Sequence, residues 1–332
     1  LEALEPVIVK GKRERVRTFR VLGLKAPPER QLRFAGMEAP LVGRSAEMKQ
    51  LVTALSNLQA GFGQTICLIG EGGIGKSRLV TELHKMQLDS QLDVNWFAVG
   101  SFSFETAQPY ALIKRLLRQA GGILRDDSQQ GIGQKVALLL DDLGPERRPQ
   151  AERAIWTLFG LRNSPAESQL RGEAFERELF RGMYGLLQNW AGAKPTVIVF
   201  EDLHWTDSGS VELIKHVLTL SEVVPLLMIC IFRPYTQSAG WTVKQHAESK
   251  LPHRYQEIKL QPLEVTAISD LVGSLLNVAD LPQEVGAVIA EKTGGVPFFI
   301  EEIVRDLVEK SILIPAESGQ AWQAAAELDT VH

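Results

Sequence analysis

Between residues 63 and 262, short unbroken apolar runs alternate with stretches whose apolar residues recur every three or four positions. The runs QTICLIG (64–70), VNWFAVGSF (94–102), TVIVF (196–200) and PLLMICIF (225–232) predict buried strands, and EIKLQPL (257–263) is a candidate fifth. SRLVTELHKM (77–86), PYALIKRLLRQAGG (109–122) and SVELIKHVLTL (210–220) have helical spacing. So does 169–191, where Leu170, Phe175, Leu179, Met183, Leu186, Leu187 and Trp190 form one apolar face. Apolar strands without alternation, separated by helices, imply an α/β fold with a parallel sheet covered on both faces. Residues 121–167 are polar and mostly helical in pattern, without an evident role, and the glycine-containing run at 129–133 follows no strand and reads as a loop.

The pattern changes beyond Pro262. Three helices are expected over 265–276, 283–295 and 298–310 with no strand between them, then a hairpin-like piece, ILIPAESGQAWQA (312–324). At the other end PVIVKGKRERVRTFRVLGL (6–24) alternates like one or two strands around a KGK turn, and 25–39 carries two prolines and no period, as a linker does.

Composition narrows the function little. The 332 residues carry a net charge of −4, with 45% apolar and 23% charged residues, which points to neither a nucleic-acid binder nor a membrane-surface binder. The six basic residues between Lys10 and Arg20 read as a solvated strand face. Cys67 and Cys230 both lie in apolar runs and read as reduced core thiols. The longest apolar run, 223–232, is about half of what a membrane span needs, and no signal peptide is visible, so a cytoplasmic protein is expected. The chain starts at Leu1 and stops at Thr330-Val331-His332, which suggests a piece of something longer.

Chemistry enters with Gly70-Glu71-Gly72-Gly73-Ile74-Gly75-Lys76-Ser77, a match to G-x-x-x-x-G-K-S/T placed directly after a strand and before a helix. The glycines let backbone N–H groups turn towards phosphate oxygens, and the following helix adds the positive end of its dipole. Lys76 would reach the β- and γ-phosphates of ATP, and the Ser77 hydroxyl would bind Mg²⁺. Arg78 completes the expected nucleotide-binding segment. At the end of TVIVF stand Glu201 and Asp202, two carboxylates that a buried strand tip tolerates only if they face a cation or water. Either Glu201 holds the metal and Asp202 polarises the attacking water, or the roles are exchanged; position favours the first. Arg233, directly after PLLMICIF, is placed to contact the γ-phosphate, although a solvated strand-end arginine would look the same. His204 and Trp205 have no ligand partner at metal spacing and read as packing and loop-orienting groups. Trp96, Trp156, Trp190 and Tyr110 read as core or interface.

Taken together, LVGRSAE (41–47), GEGGIGKSRLV (70–80), VFEDLHWTD (199–207), FRP (232–234) and TGGVPFFIEEIV (293–304) resemble the STAND class of signalling P-loop ATPases. These are AAA-like modules fused to class III adenylate or guanylate cyclases or found in MalT-like regulators. The resemblance spans about residues 40–312, and PVIVKGKRERVRTFRVLGL is similar to the closing strands of such a cyclase. It implies a sheet of order 5-1-4-3-2, with cyclase strands at 1–24, a linker at 25–39, the nucleotide-binding domain at 40–262, a helical lid at 263–310 and the start of a winged-helix domain from 311. It places Val42, Gly43 and Arg44 against adenine and Pro297 of the lid against bound ATP or ADP. It departs from the class at Glu201, where Asp is commoner, and at Val296, where Asn is often found. The expected function is a slowly hydrolysing ATPase switch in a multidomain signalling protein. Its partners would be an upstream cyclase domain and a downstream sensor or helical-repeat domain in the same polypeptide, and an ATP-dependent homo-oligomer is compatible with it. A transcription-regulator module and a mechanical remodelling ATPase are the alternatives.

Overall fold

The computed structural model describes residues 2–7, 16–20, 40–161, 171–276, 283–310, 313–315 and 322–324. The chain divides into Leu1–Pro40 and Leu41–His332. In the first unit β1 (Glu2–Val7) pairs antiparallel with β2 (Val16–Arg20), Leu4 opposite Thr18. The KGK turn and the linker lie outside the described residues.

The second unit begins α1 (Ser45–Gln59), β3 (Gln64–Ile69), α2 (Lys76–Asp89), β4 (Asn95–Gly100) and α3 (Ala111–Ala120). It continues through α4 (Gln129–Leu139), α5 (Arg148–Phe159), α6 (Gly172–Ala193), β5 (Thr196–Glu201), α7 (Ser208–Val217), β6 (Leu226–Phe232), α8 (Ala239–Lys250) and β7 (Tyr255–Lys259). Helices α9 (Val265–Leu276), α10 (Gln283–Thr293) and α11 (Pro297–Glu309) follow, and β8 (Leu313–Pro315) pairs antiparallel with β9 (Trp322–Ala324). No described helix is long and apolar enough to cross a membrane.

The five strands β4-β5-β6-β3-β7 form one parallel sheet. Counted along the sheet domain this is 2-3-4-1-5, the expected order written from the other edge. The central runs lack polar alternation because both faces are covered. Cys67, Ile69, Ile198, Phe200, Met228, Cys230 and Phe232 enter one core, with residues of α3 and of α5 through α8. Ile66, Leu68, Val197, Val199, Leu227, Ile229 and Ile231 enter the other, under α1 and α2. Edge strands β4 and β7 are only partly buried. The cysteines are register partners, free and buried.

One expectation fails. The run at 129–133 is the start of α4, where Ser128 Oγ accepts the Gly131 N–H at 3.1 Å as an N-cap. A Cβ on Gly133 would stand 3.0 Å from the Trp156 ring, so that glycine serves close packing of α4 on α5.

Glycine also brings α8 onto the sheet. A Cβ on Gly240 would lie 2.6 Å from the Cβ of the fully buried Phe232. A Cβ on Gly192 in α6 would have none of the described residues closer than 4.0 Å. Gly240→Ala is expected to cost about 1–3 kcal/mol by overpacking, whereas Gly192→Ala should be neutral or stabilising by up to about 1 kcal/mol. Thermal melting of the two variants side by side checks this ordering.

Candidate functional site: a phosphate cradle facing two carboxylates

All five strands point the same way, so their C-terminal ends share one rim. Ile69 pairs with Phe232 and Phe200 with Cys230. That register brings the loop after β3, the acids ending β5 and Arg233 after β6 within a residue or two of one level.

In the glycine-rich loop Gly73 (φ 78°) and Gly75 (φ 99°) adopt backbone that L side chains avoid, and α2 starts at the next residue, Lys76. Lys76 is buried, and its Nζ donates to the carbonyls of Gly70 and Glu71, both at 2.7 Å. Burial pulls its pKa down to about 8; the charge of Asp202 opposes this and that of Arg233 adds to it. The loop is braced from behind by Arg44, which is 5% exposed. Its guanidinium donates to Ile74 O at 3.2 Å and Gln261 O at 2.7 Å and pairs with Glu47 at 3.3 Å.

The Ser77 hydroxyl donates to Glu201 Oε2 at 3.0 Å, reaching across the end of β6. A hydroxyl beside a carboxylate oxygen is the donor set Mg²⁺ accepts when phosphates and water supply the rest. Among the described residues no three His, Cys, Asp or Glu side chains cluster as an all-protein metal cage. Asp202 sits at the turn out of β5 with φ 53°, a left-handed conformation that Asp tolerates better than most residues. Leu203, fully buried, anchors the 3-10 turn Leu203–Trp205 that follows.

Asp207, not the acid pair, caps the next helix. Its Oδ1 accepts the N–H groups of Ser210 at 2.9 Å and Tyr110 at 2.7 Å, and Oδ2 accepts the Ser210 hydroxyl at 2.7 Å. Ser101 and Thr206 hydroxyls meet at 2.6 Å, stitching the β4 end to the same segment. The cap of α7 is thus supplied by Asp207.

Arg233 lies against the loop: a Cβ on Gly72 would come within 3.2 Å of its guanidinium carbon. Residues flanking Pro297 reach the loop as well. The Phe298 N–H donates to Gly73 O at 3.2 Å, and a Cβ on Gly73 would fall 2.8 Å from Phe298 Cβ and 3.2 Å from Val296 Cγ1. Gly43 (φ 65°) would clash with Ala267 of α9 if it carried a Cβ, at 2.7 Å. Val42 lies two residues before Arg44, the N-cap residue of α1, and Arg78 pairs with Glu82 at 2.9 Å. Sequence reasoning missed Phe298 and the Asp207 lock. The first carries no signature beyond its helical spacing. The second could have been found, because Asp-Ser-Gly-Ser before an apolar run is a helix-start signal.

Parallel strands of this order, a glycine-rich loop running into a helix and an acidic strand tip define a P-loop nucleotide-binding domain. Residues 40–229, more than half of the chain, match the family described as the AAA ATPase domain, and the chain belongs to that family. Residues 265–321 match a domain of unknown function. An uncharacterized protein of Rhizobium meliloti (strain 1021) is 25% identical over 93% of this chain and 29% of its own length. Rabbit (Oryctolagus cuniculus) adenylate cyclase type 10 is 20% identical over 83% of this chain and 17% of its own length. The chain thus spans less than a third of either relative. Among solved structures, Aeropyrum pernix ORC1 in complex with DNA shares 13% identity at TM-score 0.49, over 82% of this chain and 62% of that one. Saccharomyces cerevisiae Hsp104 with casein shares 14% at TM-score 0.39, over 82% and 37%.

The Gly73 contact yields a prediction. Gly73→Ala should cost about 1–2 kcal/mol in backbone strain and also dislodge α11, so protease cleavage within 297–309 should accelerate. Gly61→Ala, at φ 91° with none of the described residues within 4 Å, should cost the strain alone and leave cleavage of 297–309 unchanged. Limited proteolysis with melting separates the two effects.

Proposed function

We propose that this AAA ATPase module binds ATP with Mg²⁺, hydrolyses it slowly, and acts as a nucleotide-dependent switch within a longer signalling protein, an adenylate cyclase–ATPase fusion. The observation that carries the nucleotide chemistry is the 3.0 Å bond between Ser77 and Glu201, with Lys76 and Asp202 beside it. Ser77 and Glu201 would hold Mg²⁺, which when bound neutralises phosphate charge. Lys76 would exchange the carbonyls of Gly70 and Glu71 for phosphate oxygens, and loop N–H groups would orient the phosphates. Asp202 would accept a hydrogen bond from the attacking water and hold it in line. Arg233 and the residues flanking Pro297 meet the same loop from β6 and from α11, so a nucleotide there would contact both.

A switch needs different contacts in its two states. The bond from Phe298 to Gly73 supplies one candidate, since it ties α11 to the loop that would hold the phosphates. The similarity to rabbit adenylate cyclase type 10 across most of this chain supports the fusion reading. The cytoplasmic setting, the cyclase strands at 1–24, the adenine contacts of Val42, Gly43 and Arg44, and the nucleotide contacts of Arg78 and Pro297 remain part of this proposal.

The test uses titration with a fluorescent ADP analogue and steady-state phosphate release. Lys76→Ala should weaken nucleotide binding about ten- to hundredfold, the size of a lost charge-assisted hydrogen bond; unchanged affinity would refute the cradle. Asp202→Asn should keep binding while hydrolysis falls about a hundredfold or more. If instead the Mg²⁺ requirement disappears in that variant, the two carboxylates have the opposite roles. Pro297→Ala should weaken ADP binding while the melting temperature without ADP stays near that of the parent. Phosphate release that only a polymeric protein or nucleic acid triggers would favour a remodelling motor.

A further inference from the structure

His204 is a titratable side chain at this site that the preceding scheme leaves unused. It stands in the 3-10 turn directly after Asp202. Its ring lies 5.0 Å from Trp205 and meets Tyr235 edge-on at 6.3 Å and 86°. Both ring nitrogens are shut off from solvent, and among the described residues neither has a hydrogen-bond partner. Burial is the largest influence on its ionisation and lowers its pKa; Asp202 acts in the opposite sense, and Arg233 and Lys76 act with burial. The imidazole therefore feels three of the charged groups of the site.

An imidazole always carries at least one N–H, and leaving it buried without an acceptor costs about 1–3 kcal/mol. A side chain needed only to fill the space between Trp205 and Tyr235 would be Phe or Leu and would avoid that cost. A state of the site in which the N–H meets an acceptor would remove that cost. Of the three charged neighbours, Lys76 and Arg233 only donate; the Asp202 carboxylate alone accepts.

Building on the ATPase reading above, we propose that His204 is a positioning residue for hydrolysis, its ring N–H donating to the Asp202 carboxylate in the nucleotide-loaded site. Two fixed points then define that carboxylate: the strained backbone at φ 53° and the imidazole. One carboxylate oxygen is held by the ring, and the other accepts from the attacking water. Trp205 and Tyr235 keep the ring from turning away.

The experiment compares His204→Phe, which keeps the ring packing but has no donor, with His204→Gln, which keeps an N–H donor. Both are measured beside the parent protein, Asp202→Asn and the double variant His204→Phe/Asp202→Asn. Readouts are kcat and KM for ATP, affinity for ADP, and melting temperature. His204→Phe should lower kcat about tenfold or more, the value of one hydrogen bond to a charged group. KM, ADP affinity and melting temperature should stay put or, for melting, rise. His204→Gln should recover part of the kcat, and the double variant should be no slower than Asp202→Asn alone. A His204→Phe kcat within twofold of the parent overturns the assignment, as do multiplicative losses in the double variant or a matching fall in ADP affinity. If the parent binds ADP but releases no phosphate from ATP, the ATPase reading itself fails and takes this role with it. A parent that hydrolyses while His204→Phe does so equally well sinks the histidine alone.

Discussion

Everything at the rim depends on a hydroxyl at the start of α2 meeting a carboxylate at the end of β5. Ser77 and Glu201 are 124 positions apart in sequence and are separated in the sheet by β6. Their 3.0 Å contact exists because β3, β6 and β5 run parallel in near-equal register and stop together. A slip of one residue in β5 would turn Phe200 to the opposite face and move both acids by about 3.3 Å. The unbroken apolar runs prevent that slip: each apolar residue of the three central strands belongs to one of two cores, and neither tolerates exchange with the other. The chemistry of the rim is thus specified by packing well below it.

The rim also concentrates what folding alone would avoid. Lys76 is buried with its pKa drawn down, Asp202 adopts left-handed backbone, and two loop glycines take positive φ. Such features persist only where the surroundings over-determine them. Here the supports can be named: Arg44 behind the loop, Asp207 locking the segment beyond the acids to Tyr110 and α7, and Leu203 buried beneath the turn. Removing them would leave the motif residues in place and the geometry gone.

The sheet was legible because a strand buried on both faces writes itself as consecutive apolar residues, and the loop because only glycines permit its backbone. The amphipathic helix at 169–191 showed its face through seven spaced apolar residues, although the described helix starts at Gly172 and Leu170 lies outside the described residues. The run at 129–133 misled because glycine there answers to a tertiary neighbour, Trp156, and not to a turn. Ser128, one position earlier, was the local signal pointing to a helix. Site contacts between distant segments were the least legible. Arg44 reading two carbonyls and Phe298 bonding to Gly73 depend on how α11 and the sheet approach, and side-chain identity hardly constrains a main-chain hydrogen bond.

That last contact also limits how α11 could respond to a ligand. Gly73 offers its carbonyl to Phe298, whereas phosphates are held by N–H groups, so one peptide run can serve both partners without competition for the same atoms. Coupling through this contact must therefore pass through the shape of the loop. The tight fit of Gly73 beneath Val296 and Phe298 makes such coupling physically reasonable, because a carbonyl that turns by a few tenths of an ångström meets side chains without room to follow. A ligand that binds equally well to the loop in both shapes would move nothing, however tightly it bound. Along this route the geometry of the backbone contact, and not the strength of phosphate binding, sets how far nucleotide could shift the helix.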